Sequence, residues 1–353
     1  MKIMLFITGL GMGGAEKIVC ELADQLYASG HQVSIVYFTG NIVRRPQHKE
    51  IEIYKLELKL NFSLLNVLKN LLKLVDTIKP DVIHAHMFHA NMMARYIKLH
   101  RKNIRVICSS HSNYEGGKLR MVLYACTENL CDVHTNVSDN AAQALMRAGA
   151  VKNKKIITVY NGIETQKYKF NEEIRLKARQ EFNFNHTTKV MMTIGRIDTP
   201  KDYPTLLKAF KIVLKQQPHT FLLIVGDGPK KQEIEALSIS LGMNESVKFL
   251  GIRNDIPELL NACDLFVSSS AWEGFGLAIL EAMLCQKPIV ATQTDGAMEL
   301  LPENSLVECG NHEALADEIL KKMSKSEKTI NYENVNSFDW NKIIKIWENI
   351  YEF

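Results

Sequence analysis

The feature that most constrains this chain is its alternation of short runs rich in Val, Ile and Leu with longer amphipathic runs. Candidate strands in the first half are 2–8, 32–38, 52–56, 81–86, 105–110 and 133–137. In the second half they are 190–194, 220–225, 247–250, 265–268, 288–292 and 306–307. Runs that are apolar on both faces suit strands covered by helices on both sides, as in parallel sheets. Twelve such strands in 353 residues are too many for one core, which stops growing near ~250 residues. The expected fold class is α/β, with two doubly wound, Rossmann-like domains. The boundary falls at 159–163, where Asn161-Gly162 supplies a turn pair and a polar stretch follows. The expected domains are 1–163 and 164–336, followed by a terminal helix over 337–353. In that helix Phe338, Ile343, Trp347, Ile350 and Tyr351 recur at helical spacing, with Ser337 or Asp339 as its cap.

Composition enters where it excludes classes. At 46% hydrophobic and 23% charged the chain is globular, not disordered. No stretch reaches the roughly 18–20 apolar residues of a membrane span. The net charge of +4 conceals a split, because residues 1–165 hold 21 Lys+Arg against 13 Asp+Glu. The remaining residues hold 22 against 26, so a basic half is joined to an acidic one, and one of them is expected to meet an anion. Seven cysteines, odd in number and without a CxxC, read as free thiols of a reducing compartment. Lys2 and the uncharged residues 3–15 superficially resemble a signal peptide. Only five of those residues run continuously apolar, so a buried strand entering a glycine loop is the better reading.

Gly9-Leu10-Gly11-Met12-Gly13-Gly14 follows the first strand and opens the first helix, which satisfies G-x-G-x-x-G in its proper context. A dinucleotide site then needs an acid at the end of the second strand, where Tyr37-Phe38-Thr39-Gly40 has none. What survives is a backbone that can approach an anion at a helix N-terminus, or simply a tight turn.

Glu273-Gly274-Phe275-Gly276-Leu277-Ala278-Ile279-Leu280-Glu281 is the most informative stretch. Carboxylates eight residues apart lie about 12 Å apart along a helix, too far for one shared proton or one metal ion. They suit the two ends of an extended ligand, with Gly274 and Gly276 leaving amides open for a phosphate between them. Solvated glutamates on a capped helix are the plain alternative. Gly195-Arg196-Ile197-Asp198-Thr199-Pro200-Lys201 follows the first strand of the second half. Arg196 and Lys201 can face one phosphate, the first as a bidentate donor and the second as a point charge.

In order, Gly13-Gly14-Ala15-Glu16, the Gly195–Lys201 segment, the turn Gly226-Asp227-Gly228-Pro229 and the Glu273/Glu281 pair resemble the retaining glycosyltransferases of family 4, over nearly the whole chain. The resemblance implies the GT-B fold: two Rossmann-like domains facing across a cleft, acceptor on the first and nucleotide-sugar donor on the second, with a terminal helix returning to the first. It implies that Arg196 and Lys201 hold the donor diphosphate, with Gly14 approaching it. It implies that Glu281 binds the nucleotide ribose and that Glu273 holds hydroxyls of the transferred sugar beside Phe275, Gly276 and Leu277. His111 matches the family's active-site histidine, Gly226 lies in the donor-side turn, and residues from Ile252 to Asp255 border the base, though Asp255 also reads as a helix N-cap. Gly296-Ala297 and Asn304-Ser305 stand where the family often has Gly-Gly and Asn-Gly, which puts that loop's shape in question.

His84-Ala85-His86-Met87-Phe88-His89 has metal-like spacing but no nearby Cys or carboxylate. It reads as acceptor-side surface. No Asp-x-Asp occurs, so no metal and no other cofactor is expected, and Arg196 and Lys201 take the metal's place. The leucines of 62–80 (Leu64, Leu65, Leu68, Leu71, Leu72) with Val75 and Ile78 form one broad helical face, suited to packing on the first sheet more than to a membrane surface. Arg44, Arg45, His48, Lys49, Arg95, Lys98, Arg101, Lys102 and Arg105 suggest anionic lipid or a lipid diphosphate acceptor. Nucleic acid is not expected, for no binding motif accompanies the charge.

The resulting expectation is a metal-independent retaining transferase that moves a hexose or N-acetylhexosamine from a nucleoside diphosphate, UDP first, to an acceptor hydroxyl. The acceptor is expected to be a lipid-linked intermediate of bacterial surface polysaccharide. The protein is expected to be cytoplasmic and peripheral on the inner membrane face. A nucleotide-sugar epimerase of similar architecture, or a noncatalytic nucleotide-binding module, are the alternatives.

Overall fold

The computed structural model describes residues 1–11, 13–56, 64–325, 330, 332 and 335–352, with the side chains of 64 and 65 left aside. Met12, Phe62 and Phe353 lie outside the described residues, as do the side chains of Leu64 and Leu65. The chain divides into two compact units, Met1–Gly162 with Trp340–Phe353, and Ile163–Asp339.

The first unit runs β1 (Lys2–Gly9), α1 (Gly14–Ala28), β2 (Gln32–Thr39), β3 (Glu52–Lys55), α2 (Leu64–Ile78), β4 (Val82–His86), α3 (Phe88–His100), β5 (Arg105–Ser110), α4 (Lys118–Cys126), β6 (Val133–Asn136), α5 (Asp139–Arg147) and β7 (Ile156–Thr158). Its sheet order is β3-β2-β1-β4-β5-β6-β7, parallel throughout. β1 is buried from Ile3 to Ile7, which is why it reads as an unbroken apolar run, whereas β4 is buried throughout although it carries His84 and His86. β7 was not expected; its three residues end just before Asn161-Gly162 and are too few to show a period. α2 buries Val67, Leu71 and Val75 in the core beside Met4, Phe6 and Val36. Its apolar face is therefore spent on packing.

The second unit runs α6 (Glu172–Glu181), β8 (Lys189–Ile194), α7 (Tyr203–Gln216), β9 (Thr220–Val225), α8 (Lys231–Ser240), β10 (Val247–Gly251), α9 (Ile256–Ala262), β11 (Leu265–Ser268), α10 (Leu277–Leu284), β12 (Ile289–Thr292), α11 (Asp295–Leu300), β13 (Leu306–Val307) and α12 (His312–Ser324). Its order is β10-β9-β8-β11-β12-β13. Side chains fix several helix starts as their sequences suggest. Asn171, Thr294 and Asn311 each accept an amide at the head of α6, α11 and α12.

The chain then returns to the first unit as α13 (Trp340–Glu352), burying Trp340, Ile343, Ile344, Trp347 and Tyr351. The helix starts later than its apolar spacing suggested. Phe338 lies in a preceding 3-10 turn, and Asp339 accepts a hydrogen bond from the Thr165 hydroxyl.

Candidate functional site

In the second unit the strand order reverses between β8 and β11, which pair directly. Ligands of open parallel sheets bind beyond the carboxyl ends of the strands at such a switch point. The loop after β8 carries Arg196 and Lys201, and the loop after β11 carries Glu273. The first loop is held in shape locally. Asp198 accepts the Thr199 amide at 2.8 Å, Thr199–Lys201 forms a 3-10 turn, and the Tyr203 hydroxyl donates to the Gly195 carbonyl at 2.9 Å. Gly226, with φ +138°, supports it from below. A Cβ there would collide with the Gly195 carbonyl oxygen, and one at Gly228 would collide with that of Ile197. Only glycine permits that stacking of one loop on another.

The two loops are joined. Lys201 Nζ and the Glu273 carboxylate form an ion pair. The Ser270 hydroxyl donates to the same Glu273 oxygen at 3.2 Å, the Ser269 hydroxyl donates to the Lys201 carbonyl at 2.8 Å, and the Ala271 amide donates to the Pro200 carbonyl at 2.8 Å. Arg196 is the exposed member, its Nε 3.6 Å from Asp198 Oδ2. It can turn to an anion without breaking a close pair. Gly276, at φ +89°, turns the chain into α10, so the Leu277 amide is a first-turn donor that no helical carbonyl reaches. Phe275 is buried, its ring edge-on to Phe338 at 5.5 Å.

Behind this loop stands Gly296. Its amide donates to the Glu273 carbonyl at 3.1 Å, and an added Cβ would lie 2.5 Å from the Phe275 carbonyl carbon. Gly296, Ser269 and Ser270 are site residues that motif reading missed. The signals were the Ser268-Ser269-Ser270 run and the single glycine of Gly296-Ala297.

Glu281 is buried on α10 and accepts from the Tyr168 hydroxyl at 3.1 Å. It is thus an oriented acceptor and not a solvated surface glutamate. Ile252 is exposed just past β10. Asp255 holds the N-cap position of α9 without a capping bond. Its carboxylate instead binds Arg253, with contacts of 2.7 and 2.5 Å, and those hydrogen bonds lower its pKa. The N-cap reading of Asp255 is therefore replaced by an ion pair, because a bidentate guanidinium outcompetes one amide.

The first unit has its own switch point, between β1 and β4. Gly14 opens α1 after the glycine loop. His111 follows β5, its Nε2 3.0 Å from His86 Nδ1. His84 spends both ring nitrogens, one on the Tyr351 hydroxyl at 2.8 Å and one on Ser109 Oγ at 2.6 Å. The rings of His84 and His86 lie 4.0 Å apart. His84 and His86 are thus buried core groups and not acceptor-side surface, and His89 goes instead to the start of α3. Among the described residues no three His, Cys, Asp or Glu side chains are arranged to hold a metal. Burial lowers the pKa of His84 and His86 well below the usual histidine value and that of His111 to about 4. At neutral pH His111 is a neutral hydrogen-bonding group. A small crevice lined by His86, His111, Asn136, Asn161 and Trp340 opens beside it.

The basic cluster read from the sequence does not form one surface. Arg95 is buried and donates to the Tyr124 carbonyl and Thr127 hydroxyl. Lys98 pairs with Asp132, Arg101 with Asp76, and Arg105 donates to the Ile350 carbonyl of α13. Among the described residues no helix is long and apolar enough to cross a membrane.

Two family models match, "Glycosyltransferase Family 4" over residues 12–167 and "Glycosyl transferases group 1" over 174–335. The chain belongs to glycosyltransferase family 4. It is 26% identical to N-acetyl-alpha-D-glucosaminyl L-malate synthase of Bacillus anthracis, over 99% of this chain and 97% of that one. It is 24% identical to N-acetylgalactosamine-N,N'-diacetylbacillosaminyl-diphospho-undecaprenol 4-alpha-N-acetylgalactosaminyltransferase of Campylobacter jejuni, over 89% and 88%. The crystal structure of Anabaena Alr3699/HepE in complex with UDP and glucose superimposes with a TM-score of 0.86 at 24% identity, each chain fully covered. The fold of this glycosyltransferase is GT-B.

Proposed function

We propose that this family 4 enzyme transfers a hexose or N-acetylhexosamine from a UDP-sugar to a hydroxyl of a lipid-linked saccharide, with retention of anomeric configuration and without a metal. The observation that carries the reading is the joined pair of loops at the β8/β11 switch point. They pair Lys201 with Glu273 and carry an exposed Arg196 next to Asp198 on the Lys201 loop, and a buried, oriented Glu281 follows on α10.

In this reading Arg196 and Lys201 take the donor diphosphate and stabilise it as charge develops on the leaving group. Lys201 is then shared between the phosphate and Glu273. Glu273 keeps an acceptor oxygen for sugar hydroxyls, and Glu281 accepts from the ribose. Gly226 shapes the loop, Ile252 borders the base, and Phe275, Gly276 and Leu277 line the turn against the phosphate. Gly14 and His111 act from the first unit, His111 as a neutral hydrogen-bonding group near the transferred sugar. No protein nucleophile is assigned. The donor β-phosphate takes the acceptor proton as the acceptor oxygen attacks the face the leaving group departs from.

The choice of UDP follows the Anabaena complex, and the lipid-linked acceptor follows the name of the Campylobacter relative. The B. anthracis relative is named for a malate product, so the acceptor needs its own test. The chain would be mixed with UDP-, GDP- and ADP-sugars, and binding and slow donor hydrolysis recorded. Transfer would then be followed to undecaprenyl-diphosphate saccharides and to small hydroxy acids. Arg196→Ala with Lys201→Ala, correctly folded, should abolish transfer; unimpaired transfer would refute the assignment. Response to none of the donors would remove the nucleotide-sugar reading.

A further inference from the structure

The turn that joins β4 to α3 is strained. Met87 sits at φ +72° and ψ 159°, a left-handed conformation that glycine adopts freely and other residues adopt at a cost. Such strain persists where surrounding contacts over-determine it, and it gathers at functional sites. Here the contacts lead to β5. The Met87 amide donates to the Ser109 carbonyl at 2.9 Å, and Asn91 Nδ2 donates to the same oxygen at 3.1 Å. The ends of β4 and β5 are thereby tied together, and the two histidines flanking the tie meet. His86 Nδ1 lies 3.0 Å from His111 Nε2, with the ring centroids 5.2 Å apart.

Burial keeps both imidazoles neutral, so each ring carries one proton. His86 is 1% exposed, and its Nε2 is buried without a hydrogen-bond partner among the described residues. His84, stacked beside it, cannot serve, because both of its nitrogens are already engaged. A proton on His86 Nε2 would therefore leave a buried N–H orphaned, a rare and costly defect. A proton on Nδ1 is instead donated to His111 Nε2, and only a lone pair is left over. His111 Nε2 is then the acceptor, and its own proton sits on Nδ1. That nitrogen has no partner among the described residues, and the His111 side chain is partly exposed.

We propose that His86 is a positioning residue that fixes His111 in the Nδ1–H form, so that His111 meets the substrate as a hydrogen-bond donor. The inference rests on the proposed function for the identity of its target, an oxygen of the transferred sugar. In this form His111 keeps no bare nitrogen for the ligand and does not act as a base. That agrees with an acceptor proton that goes to the donor β-phosphate. The strained turn at Met87 fits the same role, since its amide ties the strand end carrying His86 to β5.

The tautomer is tested first, on wild-type protein with nitrogen-15 in its 11 histidines and no substrate present. Long-range proton–nitrogen correlation spectra at neutral pH report which ring nitrogen is protonated, and spectra of His86→Leu and His111→Gln assign the two signals. Both rings should carry the proton on Nδ1. His111 protonated on Nε2 would overturn the proposal. Kinetics with the donor found in the panel test the role. His86→Leu should lower kcat/KM about 10- to 100-fold, the loss expected for one hydrogen bond. His86→Asn, whose amide nitrogen takes the place of Nδ1, should recover about tenfold of that loss. His86→Gln, closer in volume but with its amide at the place of Nε2, should not. A packing role predicts the reverse order. Equal rates for the Asn and Gln variants, or wild-type kcat/KM in His86→Leu, would remove His86 from positioning. A thermal scan identifies any variant that fails to fold, and the wild-type spectrum decides the tautomer without one. If no donor turns over, the transferase reading fails, while the tautomer stands or falls on its own spectrum.

Discussion

Gly296 offers a sharp test of how the donor loop is held. An alanine Cβ at 296 would lie 2.5 Å from the carbonyl carbon of Phe275, 2.6 Å from its oxygen and 2.7 Å from its Cα. Non-bonded carbons settle at about 3.5–4.0 Å, so the shortfall is about 1 Å. The obstacle is backbone, which no rotamer change can clear. The segment from Glu273 to Gly276 must move, and the Gly296 amide bond to the Glu273 carbonyl, 3.1 Å long, must stretch. Overpacking of this kind costs about 1–3 kcal/mol. The displacement is carried to the Glu273 carboxylate and, through its ion pair, to Lys201. A misplacement of about 1 Å costs up to about 100-fold in rate. Gly296→Ala should therefore lower kcat/KM by about 30- to 100-fold, with a UDP affinity loss that tracks it and a drop of a few degrees in Tm. Steady-state kinetics with the donor found in the panel, titration calorimetry with UDP and a thermal scan together measure this. A Gly296→Ala enzyme with wild-type kcat/KM would show that the glycine does not set the Glu273 position.

Three further outcomes follow from buried polar groups. Burial lowers the pKa of His84, His86, His111 and His134, the last two to about 4 and about 3. The unfolded chain therefore binds more protons below pH 6.5. Stability is complete above that pH and falls as pH drops toward 4, by up to about 1.4 kcal/mol per pH unit for each histidine. Urea midpoints that do not change between neutral pH and about pH 5 would contradict this. Tyr351→Phe removes the hydroxyl on His84 Nδ1 and should cost about 1–3 kcal/mol in urea unfolding, because a buried ring nitrogen is left unpaired. Tyr168→Phe removes the donor to Glu281 and should weaken UDP binding about tenfold with little change in stability; equal affinity would detach Glu281 from the ribose.

The sheets were legible because strands buried on both faces leave unbroken Val/Ile/Leu runs, as β1 and β9 do. β7 was not, because three residues carry no period. At the site, Lys201 and Glu273 could be named from their motifs, but their ion pair could not. It depends on β8 lying beside β11, a fact of topology rather than of local spacing. Tyr168 stands 113 residues from the Glu281 it orients, and Gly296 matters through a backbone contact with Phe275. Neither relation leaves a local pattern.

Charge shows the same division in a form that changes the conclusion. A surplus of Lys and Arg over 1–165 suggests a basic face only if those side chains reach solvent unpaired. Arg95 is in the core, Lys98 and Arg101 face carboxylates, and Arg105 fastens α13. These four are consumed in holding the first unit together. In the second unit Arg175 and Arg179 likewise surround Asp264, leaving Arg196 as an exposed arginine at the switch point. An exposed ion pair is worth only about 0–1 kcal/mol, but it cancels the field that would attract an anion. The charge total over 1–165 is therefore no measure of an anion-attracting face; only cations left exposed and unpaired contribute to one.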